Sequence, residues 1–232
     1  PTESWTEEEF RDAAVKMTDE SKGQYGIMFG SGVVDWGRAI FGNGETQIYD
    51  WDAKKMQATD NDALYHIWDL WIDDLMLNEK AAPAVLNSKD IGGGFETGKY
   101  GMALIGFWDI AEIHKVVQDS VEWDLSPLPT NETYGQWRTQ MFANALSISA
   151  NSEKKDAAFE YIKWTLENRD IHTNSVSLPV NKEISGDVEF LNEFADGAKH
   201  FNKQLALDAL ANSVTWRNTG TVAEINNNVI KP

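Results

Sequence analysis

Phe95-Glu96-Thr97-Gly98-Lys99-Tyr100-Gly101-Met102-Ala103-Leu104-Ile105-Gly106-Phe107-Trp108 decides how this chain is read. A small polar turn passes into a short apolar run of β character and ends at a glycine followed by two aromatic rings. A strand over Gly101 to Phe107 that stops there carries a flat indole to the end of a sheet, where α/β proteins keep their ligand crevices. Trp108 has two readings at such a point: a face for stacking a ligand, or a core plug at the sheet end. Asp109, the next residue, either accepts ligand hydroxyl protons or caps a helix running through Val117.

Outward from this stretch, helix and strand signals alternate. Ser4 with Glu7 reads as a capping box opening a helix to about Asp19, with Trp5, Phe10, Ala13, Ala14 and Met17 near one face. Tyr25 to Phe29 reads as a strand and Val33 to Phe41 as a short helix carrying Trp36. Residues 60–78 give the cleanest helix. Asp60 or Asp62 caps it, and Leu64, Ile67, Trp68, Trp71, Ile72, Leu75 and Met76 follow helical spacing. Trp123 to Leu128 reads as extended, 130–141 as a polar loop, and Phe142 to Ser149 as a strand. Asn151-Ser152 caps a helix from Glu153 to Glu167, with Ala158, Tyr161, Ile162 and Leu166 as its stripe. Trp68, Trp71 and Trp164 fall on or beside such stripes and read as packing residues. Leu178-Pro179 is extended, and helices follow at 187–196, 200–211 and 219–230. The order β-α-β-α argues for an α/β protein. Only four or five strands can be found, fewer than a doubly wound domain of this length carries.

The totals exclude several functions. The 232 residues carry 37 acidic against 20 basic side chains, a net charge of −17, which repels phosphate backbones and argues against nucleic acid as a partner. No run approaches the roughly 18 apolar residues of a membrane span. The absence of cysteine removes disulfides, thiolate metal sites and cysteine nucleophiles. His66, His114, His172 and His200 lack metal-binding spacing. Asp60-Asn61-Asp62 lacks the glycine and terminal Glu of a calcium loop. Gly92-Gly93-Gly94 lacks the Lys-Ser/Thr of a phosphate loop. Adjacent acids such as Asp73/Asp74 lie on one exposed helix face, whereas a glycosidase sets two carboxylates on opposite sides of a bond. No cofactor is expected. Ten tryptophans are a high number for this length; several belong in a core, and the number leaves some available for stacking on ligands.

Several landmarks fall in one order. They are the "P-x-x-S-W-T-E-E-E-F" opening, the Trp36 to Gly44 segment, and "F-x-x-G-K-x-x-M" running to Gly106-Phe107-Trp108. "W-D-L-S-P-L-P" at 123–129, "A-L-S-I-S-A-N-S" leading into "A-A-F-E-Y-I-K-W" at 145–164, and Leu178-Pro179 follow. This order resembles the maltodextrin-binding-like branch of extracellular solute-binding proteins that serve bacterial sugar importers. The resemblance implies an α/β, type II periplasmic-binding-protein-like fold, here an incomplete interior segment holding mostly the C-terminal lobe. By that analogy 1–143 form the main part of the C-terminal lobe, 144–186 a segment of the N-terminal lobe with hinge strands, and 187–232 helices returning to the C-terminal lobe.

The same resemblance implies a non-enzymatic protein outside the cell that binds a sugar or oligosaccharide and hands it to the permease subunits of an ABC importer. Contact with the membrane would come through the permease or an N-terminal lipid anchor absent here. Trp108 and Asp109 are the first candidates for ligand contact. Trp36, beside Asp35 and Arg38, is read equally as core. Trp137-Arg138 in the polar loop and Trp216-Arg217 late in the chain complete the set, an Arg beside an indole suiting bidentate contact with hydroxyls. A carbohydrate-active enzyme fragment and a same-fold binder of a non-sugar solute are the alternatives.

Overall fold

Thr6, not Ser4, opens the first helix. Its hydroxyl accepts the Glu9 N–H at 3.1 Å, and the Glu9 carboxylate accepts the Thr6 N–H at 2.8 Å. This reciprocal box starts helix α1, Glu7–Lys16, two residues later than the sequence signal suggested. The shift has a structural result: it places Glu7 in the first turn with its carboxylate directed inward, 8% exposed. The computed structural model describes residues 4–29, 40, 49–50, 52–56, 61–83, 94–117, 120–141, 145–173, 178–187 and 203–214. The chain divides into two compact units, Pro1–Ile105 with Ser126–Met141 and Ala209–Pro232, and Gly106–Leu125 with Phe142–Asp208. Thus 106–125 group with 142–208.

In the first unit, strand β1, Tyr25–Phe29, falls where the sequence placed it and pairs in parallel with a later strand, Tyr100–Leu104. The register sets Tyr25 against Tyr100, Ile27 against Met102 and Phe29 against Leu104. On its other side β1 takes a bond from Ile27 N–H to the Ala81 carbonyl at 3.0 Å. α1 lies so close to β1 that a Cβ at Gly26 would overlap the Ala14 carbonyl. Among the described residues, two short antiparallel ladders also belong to this unit. β2, Tyr49–Asp50, pairs with β3, Lys55–Met56, and the Tyr100–Leu104 strand is accordingly β4.

The long helix of 60–78 is present in altered form. Asn61, rather than either flanking aspartate, accepts the Leu64 N–H at 2.9 Å and opens α2, Asp62–Trp68. The chain then widens into a π-helix, Asp69–Asn78. Its buried residues are Leu70, Trp71, Leu75 and Met76. These pairs lie five apart, the spacing a π turn superimposes and an α turn does not. The helical period of the sequence could not distinguish the two. Trp71, fully buried, stacks on Phe29 with centroids 4.6 Å apart.

The expected polar loop at 130–141 holds a small hairpin instead, β5, Thr130–Asn131, with β6, Gly135–Gln136. The Thr130 N–H reaches the Trp5 carbonyl at 2.8 Å, and Trp5 Nε1 donates to the Pro127 carbonyl at 2.7 Å. Pinned this way, the hairpin drives Trp137 into the core against Phe10 and Trp71. Glu7 secures the junction. It accepts Trp137 Nε1–H at 2.8 Å and Asn131 Nδ2–H at 2.9 Å, and its Oε1 lies 2.5 Å from His66 Nε2 on α2. At the surface, Arg11 grips Asp74 through Nε at 2.5 Å and Nη2 at 3.0 Å, and reaches Glu79 at 2.8 Å. This fork ties α1 to the π-helix.

In the second unit, a 3₁₀ turn at Phe107–Asp109 leads into α3, Ile110–Val117, so β4 ends before the expected Phe107. Ile110, Ile113 and Val117 are buried along one side of α3. α4, Lys155–Glu167, begins two residues after the expected start and has no side-chain cap. Two short helices follow, α5, Arg169–Thr173, and α6, Lys182–Ser185, neither of them expected from the sequence. α7, Lys203–Ala211, whose last three residues count with the first unit, falls within the expected 200–211 helix. Residues 145–149 of the expected strand, Trp123 to Leu128 and Leu178-Pro179 form no regular element. The expected helices at 219–230 and, Ile40 and Asp187 aside, at 33–41 and 187–196 lie outside the described residues, as do 142–144.

Two substitutions test this packing. Glu7→Ala leaves a buried indole N–H and an amide without acceptors and should lower unfolding free energy in urea by about 3 kcal/mol, with Glu7→Gln losing less. Gly26→Ala forces α1 off β1 and should cost roughly 1–3 kcal/mol in the same assay.

Candidate functional site

Gly106, Trp108 and Asp109 form one small built turn. The Asp109 N–H returns to the Gly106 carbonyl at 3.0 Å, and the Asp109 carboxylate accepts the Gly106 N–H at 3.3 Å. Of the two roles expected for Asp109, capping the start of the helical segment is therefore the one with visible geometry. Gly106 serves a different purpose: a Cβ at this position would overlap the six-membered ring of Trp108. The indole lies over the bare backbone and keeps 45% of its residue surface exposed. It is no core plug. A flat apolar face beside polar backbone can cover the C–H patch of a sugar ring while neighbouring groups exchange hydrogen bonds with its hydroxyls.

The remaining expected site residues divide. Trp137 is 1% exposed, its indole N–H is committed to Glu7, and Phe10 and Trp71 pack on its ring at 5.1 and 5.6 Å. The expectation that its loop leaves it available for ligand is corrected: the hairpin turns it inward. Arg138, its neighbour, is half-buried and is tied through its backbone N–H to the Ile40 carbonyl at 2.6 Å. Trp36, Trp216 and Arg217 lie outside the described residues. Trp108 and Asp109 belong to the second unit, Trp137 and Arg138 to the first.

Sequence reasoning missed the knot of Glu7, His66, Asn131 and Trp137, whose members lie up to 130 positions apart. It also placed Trp164 among packing residues, whereas its surface is 52% exposed, beside Tyr161 with centroids 6.0 Å apart. Packing stripes are inferred from spacing, and spacing does not reveal whether a covering layer is present.

Elsewhere the chemistry is structural. A concavity of about 580 Å³ in the first unit is lined by Val15 to Glu20, Gln24 and Glu79. Its acids are engaged: Asp19 with Lys22 at 2.6 Å, Glu20 with Lys80 at 3.0 Å, and Glu79 with Arg11. Hydrogen bonds from Lys22 and then Ser21 hold the Asp19 carboxyl at about 2. Among the described residues no group of three or more His, Asp or Glu side chains is placed to hold a metal ion. None of the described helices is long and apolar enough to cross a membrane.

Solved structures share the fold of this chain. A maltose/maltodextrin-binding domain, MalE, from Bdellovibrio bacteriovorus, bound to maltotriose, superimposes with a TM-score of 0.71 at 17% identity. The match covers 98% of this chain and 59% of that one. An ABC substrate-binding protein from Listeria monocytogenes in complex with cycloalternan gives 0.61 at 19% identity, covering 98% and 57%. An extracellular solute-binding protein from Staphylococcus aureus in complex with maltose gives 0.62 at 17% identity, covering 97% and 57%. The chain thus spans under three-fifths of the length of these structures, and the likeness establishes an α/β, type II periplasmic-binding-protein-like fold. No curated protein sequence matches it significantly. The family model described as bacterial extracellular solute-binding protein matches residues 2–170, and the chain belongs to that family.

Proposed function

We propose that this chain is part of a protein that binds a sugar or oligosaccharide outside the cell and delivers it to the permease subunits of an ABC importer. The observation that carries this reading is the half-exposed indole of Trp108, held over the bare backbone of Gly106. An aromatic face kept in water at a cost in apolar exposure suits a ring ligand that covers it on binding. The family assignment supports solute capture, and the structural neighbours were solved with maltotriose, cycloalternan and maltose. Trp108 would stack on a pyranose face, with Arg138 and the Trp216-Arg217 pair as further candidate contacts. Trapping would follow from closure of two lobes about hinge segments near 142–146 and 184–187, with no bond made or broken. The membrane is reached through the permease.

Titration of the chain with maltose, maltotriose and a cyclic oligosaccharide, followed by tryptophan emission, should give a saturable shift with at least one of them. The sugar should be recovered intact after hours. Cleavage would point to a carbohydrate-active enzyme, and a response confined to non-sugar solutes to another ligand class. Trp108→Ala should weaken binding by about 1–3 kcal/mol, as loss of an aromatic anchor does. Gly106→Ala, which pushes the ring from its seat without removing it, should weaken the same binding while leaving the thermal midpoint nearly unchanged. Unaltered affinity in either folded variant removes Trp108 from the site.

A further inference from the structure

Gly106 makes room for the Trp108 ring and loses stiffness in doing so. A Cβ at this position would overlap the indole, so the seat requires glycine. A residue without Cβ has the widest choice of backbone angles, and sterics alone do not keep Gly106 at its observed φ of −80° and ψ of 151°. Gly106 also opens the 3₁₀ turn Phe107–Asp109 with no side chain of its own to cap it.

Asp109 supplies what the glycine lacks. Its N–H donates to the Gly106 carbonyl at 3.0 Å, and its carboxylate accepts the Gly106 N–H at 3.3 Å. Both backbone polar groups of Gly106 are thus held by one residue. That residue is fixed from behind, because Asp109 runs directly into α3, whose Ile110, Ile113 and Val117 are buried. Trp108 lies inside the closed turn with its indole over Gly106. The direction of the ring therefore depends on contacts that run from α3 through Asp109 to Gly106.

We infer that Asp109 is a positioning residue for Trp108: it holds Gly106 beneath the indole and so fixes how that aromatic face is presented. Its effect on a ligand passes through the ring and not through contact with its own carboxylate. The geometry requires an acceptor oxygen here, which an amide supplies as well as a carboxylate does. Only the effect on affinity rests on the reading of Trp108 as a sugar-stacking face; the seating of the ring does not.

The test uses the 232-residue chain labelled with fluorotryptophan, in which the Trp108 fluorine resonance is the one lost in Trp108→Phe. Without ligand, Asp109→Ala should move or broaden that resonance, and Asp109→Asn should return it to the wild-type position. The Gly106 amide should exchange slowly with solvent in the wild type and in Asp109→Asn. With whichever of maltose, maltotriose and the cyclic oligosaccharide the wild type binds, Asp109→Ala should weaken binding about fivefold, the usual effect of a lost cap. Asp109→Asn should recover most of that loss. An unmoved resonance in folded Asp109→Ala overturns the inference. So does a wild-type Gly106 amide that exchanges at an unprotected rate, a measurement that needs no variant to fold. An Asp109→Asn chain that keeps the resonance in place yet binds as weakly as Asp109→Ala also overturns it, since the carboxylate would then touch the sugar itself. If the wild type binds none of the three sugars, the importer reading falls, and the fluorine and exchange measurements still decide the role of Asp109.

Discussion

One buried carboxylate holds the first unit in its arrangement. Glu7 meets groups from three separate stretches: the imidazole of α2, the amide of β5 and the indole that follows β6. A carboxylate removed from water is expensive unless donors replace its hydration, and here the donors come from elements that would otherwise have no reason to converge. The knot therefore acts as a specification of geometry. The aromatic cluster of Phe10, Phe29, Trp71 and Trp137 supplies the apolar burial, and Glu7 fixes which way the hairpin must face to join it.

What the sequence made legible follows from the range of each interaction. β1, the α2 region, the helix after Asp109 and α7 are written in local period and capping, so they were read at nearly their observed places. The capping box was misassigned by two residues because Ser4/Glu7 and Thr6/Glu9 offer the same chemistry at the same spacing. Choosing between them depends on which glutamate the distant Trp137 and Asn131 require. Trp137 was misread for the same reason, since a polar neighbourhood in sequence says nothing of an acceptor 130 positions away. Residues 145–149 carry the local signature of a strand yet form no regular element, since period and composition do not supply a ladder.

The candidate ligand residue illustrates a division of labour within a short stretch. β4 is anchored by parallel pairing to β1, and two residues after its end comes Gly106, over which the indole of Trp108 lies half-exposed. Within the second unit the Asp109 carboxylate holds the turn, and the missing side chain at 106 leaves room for the ring.

The π-helix carries an implication for how this chain tolerates change in length. Its buried pairs, Leu70 with Leu75 and Trp71 with Met76, stay in line only because each turn holds more residues than an α turn. Removing a single residue between them, such as Asp73, would set each pair four apart, the spacing that an α turn superimposes. A one-residue gap here is therefore absorbed by conversion of the π turn to an α turn with Leu75 and Met76 still facing inward, so this segment is a place where sequence drift can shorten the chain without turning its core outward.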